Sequence, residues 1–430
     1  MTAIPQAVAT AVADPLLVAA VAASRAEPPF VLYERDARWV LAAGSRARLR
    51  MDGAGITWTT SAGEWRVPLG SDPLRQVAEL LADTGLPTWR AYGWAAFELA
   101  RLLHLGHADG PLLDLVIPTH ELPIGRDGEH DAVPAGPPAV DDRPWPAPAA
   151  GLADPEAPDP AYLAAIAETV RDIRAGGPDK VILSRVVPVS TEIDFPATYL
   201  AGRRGNTPAR SFLLDLGGLR ATGFSPETVV EVDPSGRVST RPLAGTRALV
   251  GDPARDQATR RELLADPKEI FEHAISVKLA QEELSGVCVP ASVRVEEFMT
   301  VRERGSVQHL ASRVRGELAA GRTAWDAFAA LFPSITASGS PKAAAVETIG
   351  RHEPRCGLYS GAVLTVGSDG ALDAALVLRT VFSAGGRTRL RAGAGVIALS
   401  TPEREWTETC EKLRSVSRFL VPAEPRGAAR

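Results

Sequence analysis

Residues 357–397 read GLYSGAVLTVGSDGALDAALVLRTVFSAGGRTRLRAGAGVI, and this stretch decides the fold class. Apolar runs at 358–366, 371–382 and 388–397 are parted only by Ser368-Asp369-Gly370 and Gly385-Gly386. Glycine turns that short join antiparallel neighbours, whereas a parallel crossover needs a dozen residues or more. The same pattern recurs upstream. Strand pairs are expected at 211–223 and 228–241, the second turning at Pro234-Ser235-Gly236. Residues 29–68 alternate apolar and polar positions between small turns, as a meander of strands does.

Helical periodicity falls between these runs. Helices are expected from Asp72-Pro73 to near Gly85, over Ala95–Leu105, and at about 257–284, 324–331, 341–350 and 402–420. Another opens at Asp159-Pro160, an N-cap followed by proline, and closes at Gly176-Gly177. A β-rich run, Lys180–Val189, follows it directly. The order is mixed and rich in hairpins, which predicts an α+β fold of packed layers rather than a Rossmann sheet. Residues 117–160 are rich in Pro, Asp and Ala, and read as a linker between domains or an excursion within one.

The 430 residues are 45% hydrophobic and 23% charged, normal for a globular enzyme. A net charge of −5 argues against nucleic-acid binding through bulk charge. Cys288, Cys356 and Cys410 show no metal-ligand spacing and fit a reducing compartment. The apolar run Leu16–Ala23 is too short to span a bilayer and follows no basic segment. The expectation is a soluble cytoplasmic protein with no membrane or nucleic-acid partner.

Five lysines stand against forty-two arginines, and none precedes Lys180. Lysine can release a proton in suitable surroundings where arginine effectively cannot, so a retained lysine is a candidate for proton transfer. Glu269 and Glu272 lie one turn apart on one helix, opposite Ile270, Phe271, Ala274, Ile275 and Val277. The C-terminal helix carries an apolar stripe from Trp406 to Leu420, a mixed-charge face, and a separate cluster of Glu405, Glu408 and Lys412. Two E-x-x-E helices can surround one hard cation such as Mg²⁺, or can simply be solvated faces; spacing leaves both open. Arg391-Ala392-Gly393-Ala394-Gly395 offers backbone N–H groups to an anion or marks a bend. Arg379 shares strand parity with Ala375 and Val377, and needs a carboxylate partner from a ligand or from the protein.

In order along the chain, these segments resemble the chorismate-utilising enzymes. The motifs are Lys180-Val-Ile-Leu-Ser-Arg185, Ser225-Pro226-Glu227, Pro242-Leu-Ala-Gly245-Thr246-Arg247, Lys268-Glu269-Ile-Phe-Glu272-His273, Ser306-Val-Gln-His309-Leu310, Thr336-Ala-Ser-Gly339, Gly357-Leu-Tyr359-Ser-Gly361, the Gly393-Ala-Gly395 run, and Glu405-x-x-Glu408-x-x-x-Lys412. With Phe298–Arg304 before the histidine motif, the chain looks most like siderophore-type salicylate synthases. The resemblance implies one large sandwich of two mainly antiparallel sheets with outer helices, like anthranilate synthase component I. Residues 1–150 would form its variable N-terminal half and 151–425 the chorismate-binding region.

It also implies a chemistry. Lys180 would be the base that activates water, and Glu227 the acid that protonates the departing hydroxyl. Glu272 and Glu408 would contact Mg²⁺, supported by Glu269 and Glu405. Tyr359, Arg379, Gly393 and Lys412 would hold the enolpyruvyl carboxylate, with Gly395 in the same run. Gly245 and Thr246 would line the ring-carboxylate end, and His309 and Thr336 would lie near the ring. Ammonia-using relatives commonly carry glutamine where Lys180 stands, so water is the expected nucleophile. Ala244 replaces the lysine common in aminodeoxychorismate synthases, which counts against a covalent route.

The expected activity is a salicylate synthase for siderophore or other secondary metabolism, acting as a monomer without a glutaminase subunit. The alternatives are an isochorismate synthase that releases its intermediate, an anthranilate synthase-type enzyme, or a non-catalytic binder. Ser340 departs from the apolar residue expected after Gly339 in close salicylate synthases.

Overall fold

The computed structural model describes residues 14–125, 144–305 and 307–424. Ser306 and the middle of the proline-rich stretch, 126–143, lie outside the described residues. Two sheets dominate, one of nine strands and one of twelve. Among the described residues their strand pairings are antiparallel, including Ala362–Gly367 with Leu372–Leu376 and Thr380–Ala384 with Arg387–Val396.

Three adjustments to the expected elements follow from local chemistry. The run at 371–382 breaks into two strands, because Leu378 and Arg379 carry the chain from one sheet to the other. Arg379 therefore sits in no strand, and its φ of 51° is left-handed. The helix expected at 257–284 is two helices, Pro253–Ala265 and Pro267–Ser285, because Asp266-Pro267 restarts it. Asp266 accepts from the N–H groups of Lys268 (2.9 Å) and Glu269 (3.3 Å), capping the second helix. Within the 117–160 stretch, His120–Ile124 forms a strand that pairs with Arg38–Ala43.

Both chain halves build both sheets. The nine-stranded sheet joins Phe30–Arg35 and Arg38–Ala43 to Lys180–Pro188 and Arg387–Val396. The twelve-stranded sheet joins Ala47–Val67 to the later hairpins. Between the sheets lies an apolar layer that includes Tyr33, Tyr92, Trp94, Phe212, Val363 and Phe382. A second core packs the helices Pro15–Ser24, Phe195–Arg204 and Pro402–Ser417 on the outside of the first sheet. A third packs helices outside the other. The result is a helix–sheet–sheet–helix sandwich.

A polar bolt crosses the apolar layer. Arg210, 2% exposed, donates to both oxygens of Asp373 (2.8 and 2.7 Å) and to Glu231. Tyr33 also donates to Asp373. Arg210 and Tyr33 belong to the nine-stranded sheet, Asp373 and Glu231 to the twelve-stranded one. Burial works against the Arg210 charge, but Asp373 and Glu231 hold it on more firmly than usual.

Candidate active site

A cavity of about 520 Å³ opens between the two E-x-x-E helices and the strands Lys180–Pro188, Leu243–Ala248 and Arg387–Val396. Of the fifteen residues singled out from the sequence, all but Glu405 line it. Glu405 lies fully buried. Ser340 pairs with Lys180 at the sheet edge and does not line the cavity.

Two glycines make room for Lys180. A Cβ on Gly395 would fall 2.9 Å from the Lys180 Cε. A Cβ on Gly339 would fall 2.1 Å from the Lys180 carbonyl oxygen, too close for any other residue. The Lys180 Nζ reaches Glu272 Oε2 at 3.4 Å.

Glu227 faces the same space from a buried turn. The Ser225 hydroxyl donates to the Glu227 carbonyl (2.8 Å), which locks the S-P-E turn. The carboxyl Oε1 accepts from Thr336 (2.6 Å) and Ser334 (3.0 Å). Burial raises this acid to about 8, against the pull of the two hydroxyls and Lys180. It therefore keeps its proton at neutral pH.

Arg379, Tyr359 and Lys412 bring positive charge and hydrogen-bond donors to the other end. Arg379 donates from Nη2 to His309 Nε2 (2.7 Å) and from Nη1 to the Arg304 carbonyl (3.3 Å). Burial lowers Arg379 to about 10, and neighbouring Arg304 adds to the shift. Because arginine only donates, His309 must carry its hydrogen on Nδ1, which reaches the Gly245 carbonyl at 3.2 Å and the Thr246 hydroxyl at 3.0 Å. Burial, reinforced by Arg379, holds His309 neutral. It acts as a strut between Arg379 and the Gly245-Thr246 strand. Lys412 donates to the Gly393 carbonyl (2.8 Å) and to Glu408 (2.6 Å). A Cβ on Gly393 would lie 2.9 Å from the Tyr359 hydroxyl, so glycine keeps that approach open. Burial pushes the Tyr359 phenol up, so it stays protonated.

The acidic face, which spacing left open between a cation site and solvent, is partly inside. Glu269, His273 and Ser276 are buried, while Phe271 on the expected apolar side is 65% exposed. Arg247 explains part of this, binding Asp266 (2.6 Å) and Glu269 (3.2 Å) together. Glu272 stands between Lys180 and Lys268, whose Nζ is 3.7 Å away. Burial raises the Glu269 and Glu405 carboxyls, and Glu272 and Glu408 beside them add to it. Glu408 is only partly buried; desolvation raises its carboxyl, but Lys412, with Lys268 and Lys180, holds it below the usual range.

Among the described residues no three His, Cys, Asp or Glu side chains converge as a closed metal centre. Both carboxylate oxygens of Glu405 and Oε1 of Glu272 are nonetheless buried without a hydrogen-bond partner. The Ser400 hydroxyl beside Glu405 is engaged with the Gly395 carbonyl (3.4 Å) and accepts from the Ile397 N–H (3.0 Å). Buried acceptors left unmatched are costly. An oxygen-seeking cation that keeps several of its waters fits such a set better than a closed cage does.

Ser334, Arg247, Lys268 and Arg304 were not assigned roles from sequence. Ser334 carries no signal beyond its place two residues before Thr336. Arg247 ends the glycine-threonine motif, and only the capped turn at Asp266 explains its use.

The chain matches the family model described as chorismate binding enzyme over residues 28–418. It is 43% identical over 423 residues to the salicylate synthase of Mycolicibacterium paratuberculosis, covering 94% of this chain and 92% of that one. It is 42% identical over 262 residues to anthranilate synthase component 1 of Streptomyces coelicolor, covering 60% of this chain and only 51% of that relative. The chain's match thus spans about half the length of that anthranilate synthase. Among solved structures, anthranilate synthase component I of Streptococcus pneumoniae superposes with a TM-score of 0.73 at 23% identity, over 92% of this chain and 93% of the other. The menaquinone-specific isochorismate synthase of Escherichia coli superposes at 0.72 and 22%, over 97% and 93%. The two-sheet α+β sandwich is theirs also.

Proposed function

Since this chain belongs to the chorismate-binding enzyme family, we propose that it is a magnesium-dependent salicylate synthase, which converts chorismate to isochorismate and then to salicylate and pyruvate. The observation that carries this reading is Lys180 and a proton-holding Glu227 lining one cavity.

In the first step Lys180 takes a proton from water as the water oxygen bonds to ring C2. The ring double bonds shift and the C4–O bond breaks. Glu227 gives its proton to the departing hydroxyl, which leaves as water. A carboxyl raised to about 8 is protonated and ready at neutral pH. Arg379, Tyr359 and Lys412 orient the enolpyruvyl carboxylate, and His309 fixes the direction of the Arg379 fork. Gly245 and Thr246 face the ring-carboxylate end. Glu269, Glu272, Glu405 and Glu408 would hold Mg²⁺, whose positive charge offsets that of the ring carboxylate while the ring electrons shift.

In the second step the C2 hydrogen moves to the enolpyruvyl methylene as the ether C–O bond breaks. Pyruvate leaves and the ring becomes aromatic. This step needs a confined reactive conformer more than another acid or base. The protein would act in the cytoplasm as a monomer, without a glutaminase subunit, and supply salicylate to siderophore or related biosynthesis.

Incubation with chorismate and Mg²⁺, with and without ammonia, tests the reading. Salicylate and pyruvate in equal amounts are expected. Isochorismate as the sole product, anthranilate formed only with ammonia, or binding without turnover would each replace it.

A further inference from the structure

We propose that Ser334 is a positioning residue which, together with Thr336, fixes the oxygen of Glu227 that carries the transferable proton. The inference rests on the reading of Glu227 as the acid. Its basis is a triangle of oxygens. Thr336 Oγ1 lies 2.6 Å from Glu227 Oε1, Ser334 Oγ lies 3.0 Å from the same atom, and the two hydroxyls are 2.7 Å apart. A carboxyl oxygen has two lone-pair sites for donors. Where Ser334 and Thr336 each spend their single hydrogen on Oε1 rather than on one another, Oε1 has no place for a hydrogen of its own. The proton is left to Oε2, on a side chain that lines the cavity.

The triangle is held rigidly. Ser334 precedes the short turn Ile335–Ala337, and its carbonyl accepts from the Ala337 N–H (2.9 Å) and the Ser338 hydroxyl (2.9 Å). Just before it, Phe332 stacks on Phe328 at 4.9 Å in the core. Without the Ser334 hydroxyl, Oε1 regains a free site. The acid could then turn its proton toward Thr336 and away from the ring.

The hydroxyls also favour the ionised form of Glu227. The other groups that face it are Lys180, from the Lys180–Pro188 strand, and the Leu243 N–H, from the Leu243–Ala248 strand. Both remain in a Ser334 variant.

Steady-state kinetics across pH on Ser334→Ala test the proposal. The kcat for chorismate consumption is expected to fall roughly three- to tenfold, the loss of one hydrogen bond. KM should stay within about twofold, and the alkaline limb of kcat should move to higher pH. Ser334→Thr should restore both. If Ser334→Ala melts early, Ser334→Cys keeps the volume with a weak donor and is expected to show the same changes. Wild-type kcat with an unmoved alkaline limb, or a change confined to KM, would overturn the proposal. Failure of the underlying reading has a different signature: full turnover by Glu227→Gln would remove the acid itself.

Discussion

In the proposed reaction the chemistry depends on Lys180 and Glu227, and each makes a separate forecast. Lys180→Arg keeps a positive charge beside Glu272 but cannot serve as a base. The variant should melt like the wild type by circular dichroism, while water addition falls by about 10²–10⁴-fold. Wild-type turnover would remove Lys180 as the base. Glu227 works while protonated, so kcat should fall as pH rises past about 8. Stability carries the same sign. Burial pushes folded Glu227 up to about 8 while an unfolded glutamate keeps its ordinary value of 4.5, so between those values the folded state binds more protons. Stability is then lost as pH climbs through that window, by up to a few kcal/mol. Glu227→Gln should be inactive, yet melt at pH 9 at least as high as the wild type. A variant less stable at pH 9 by the same margin as at pH 5 would contradict this.

Lys180 was legible because lysine is rare in an arginine-rich chain, and Glu227 only through the resemblance that Ser225-Pro226-Glu227 carries. Ser334 was not legible. One hydroxyl among many acquires meaning only when a turn folds it onto a distant carboxyl.

At the scale of elements, periodicity found most of the helices, missed Pro15–Ser24 and Phe195–Arg204, and misjudged one helix's faces. The Pro267–Ser285 helix exposes Phe271 and buries Glu269 and His273, the reverse of a simple amphipathic rule. Local pattern weighs greasiness, whereas the packing here is decided by Arg247, Lys268 and Lys180 gathering carboxylates inward. Arg379 was placed in a strand for the same reason. Its neighbours are apolar, and nothing local announces the crossing between sheets.

The Pro402–Ser417 helix offers a direct test of the cation reading, because both Glu405 oxygens are buried without partners. Glu405→Gln should raise the stability of the metal-free protein by about 1–3 kcal/mol and shrink the gain in melting temperature on adding Mg²⁺. An unchanged Mg²⁺-dependent shift in calorimetry would show that Glu405 takes no part.

At the scale of the molecule, hairpin grammar specified antiparallel layers, and the family motifs specified the sandwich. Strand order was beyond reach. The first sheet sets Phe30–Arg35 beside Arg210–Asp215, a pairing across some 180 residues that turn chemistry does not encode. The sheets are then registered by Arg210, Asp373, Glu231 and Tyr33. Removing the Arg210 guanidinium leaves buried Asp373 and Glu231 only the more exposed Arg35 (3.4 Å) and Arg241 (3.5 Å) as partners of opposite charge. Arg210→Met should cost about 3–5 kcal/mol in denaturant unfolding, with any surviving folded fraction still active. A loss below about 1 kcal/mol, the value of a surface pair, would show that the bolt is dispensable.

The central claim is that solvent water, armed by Lys180, supplies an oxygen to the ring. Turnover of chorismate in H₂¹⁸O measures this directly, by mass spectrometry of the salicylate. One ¹⁸O on the phenolic oxygen is the expected result, and salicylate formed without label would contradict it.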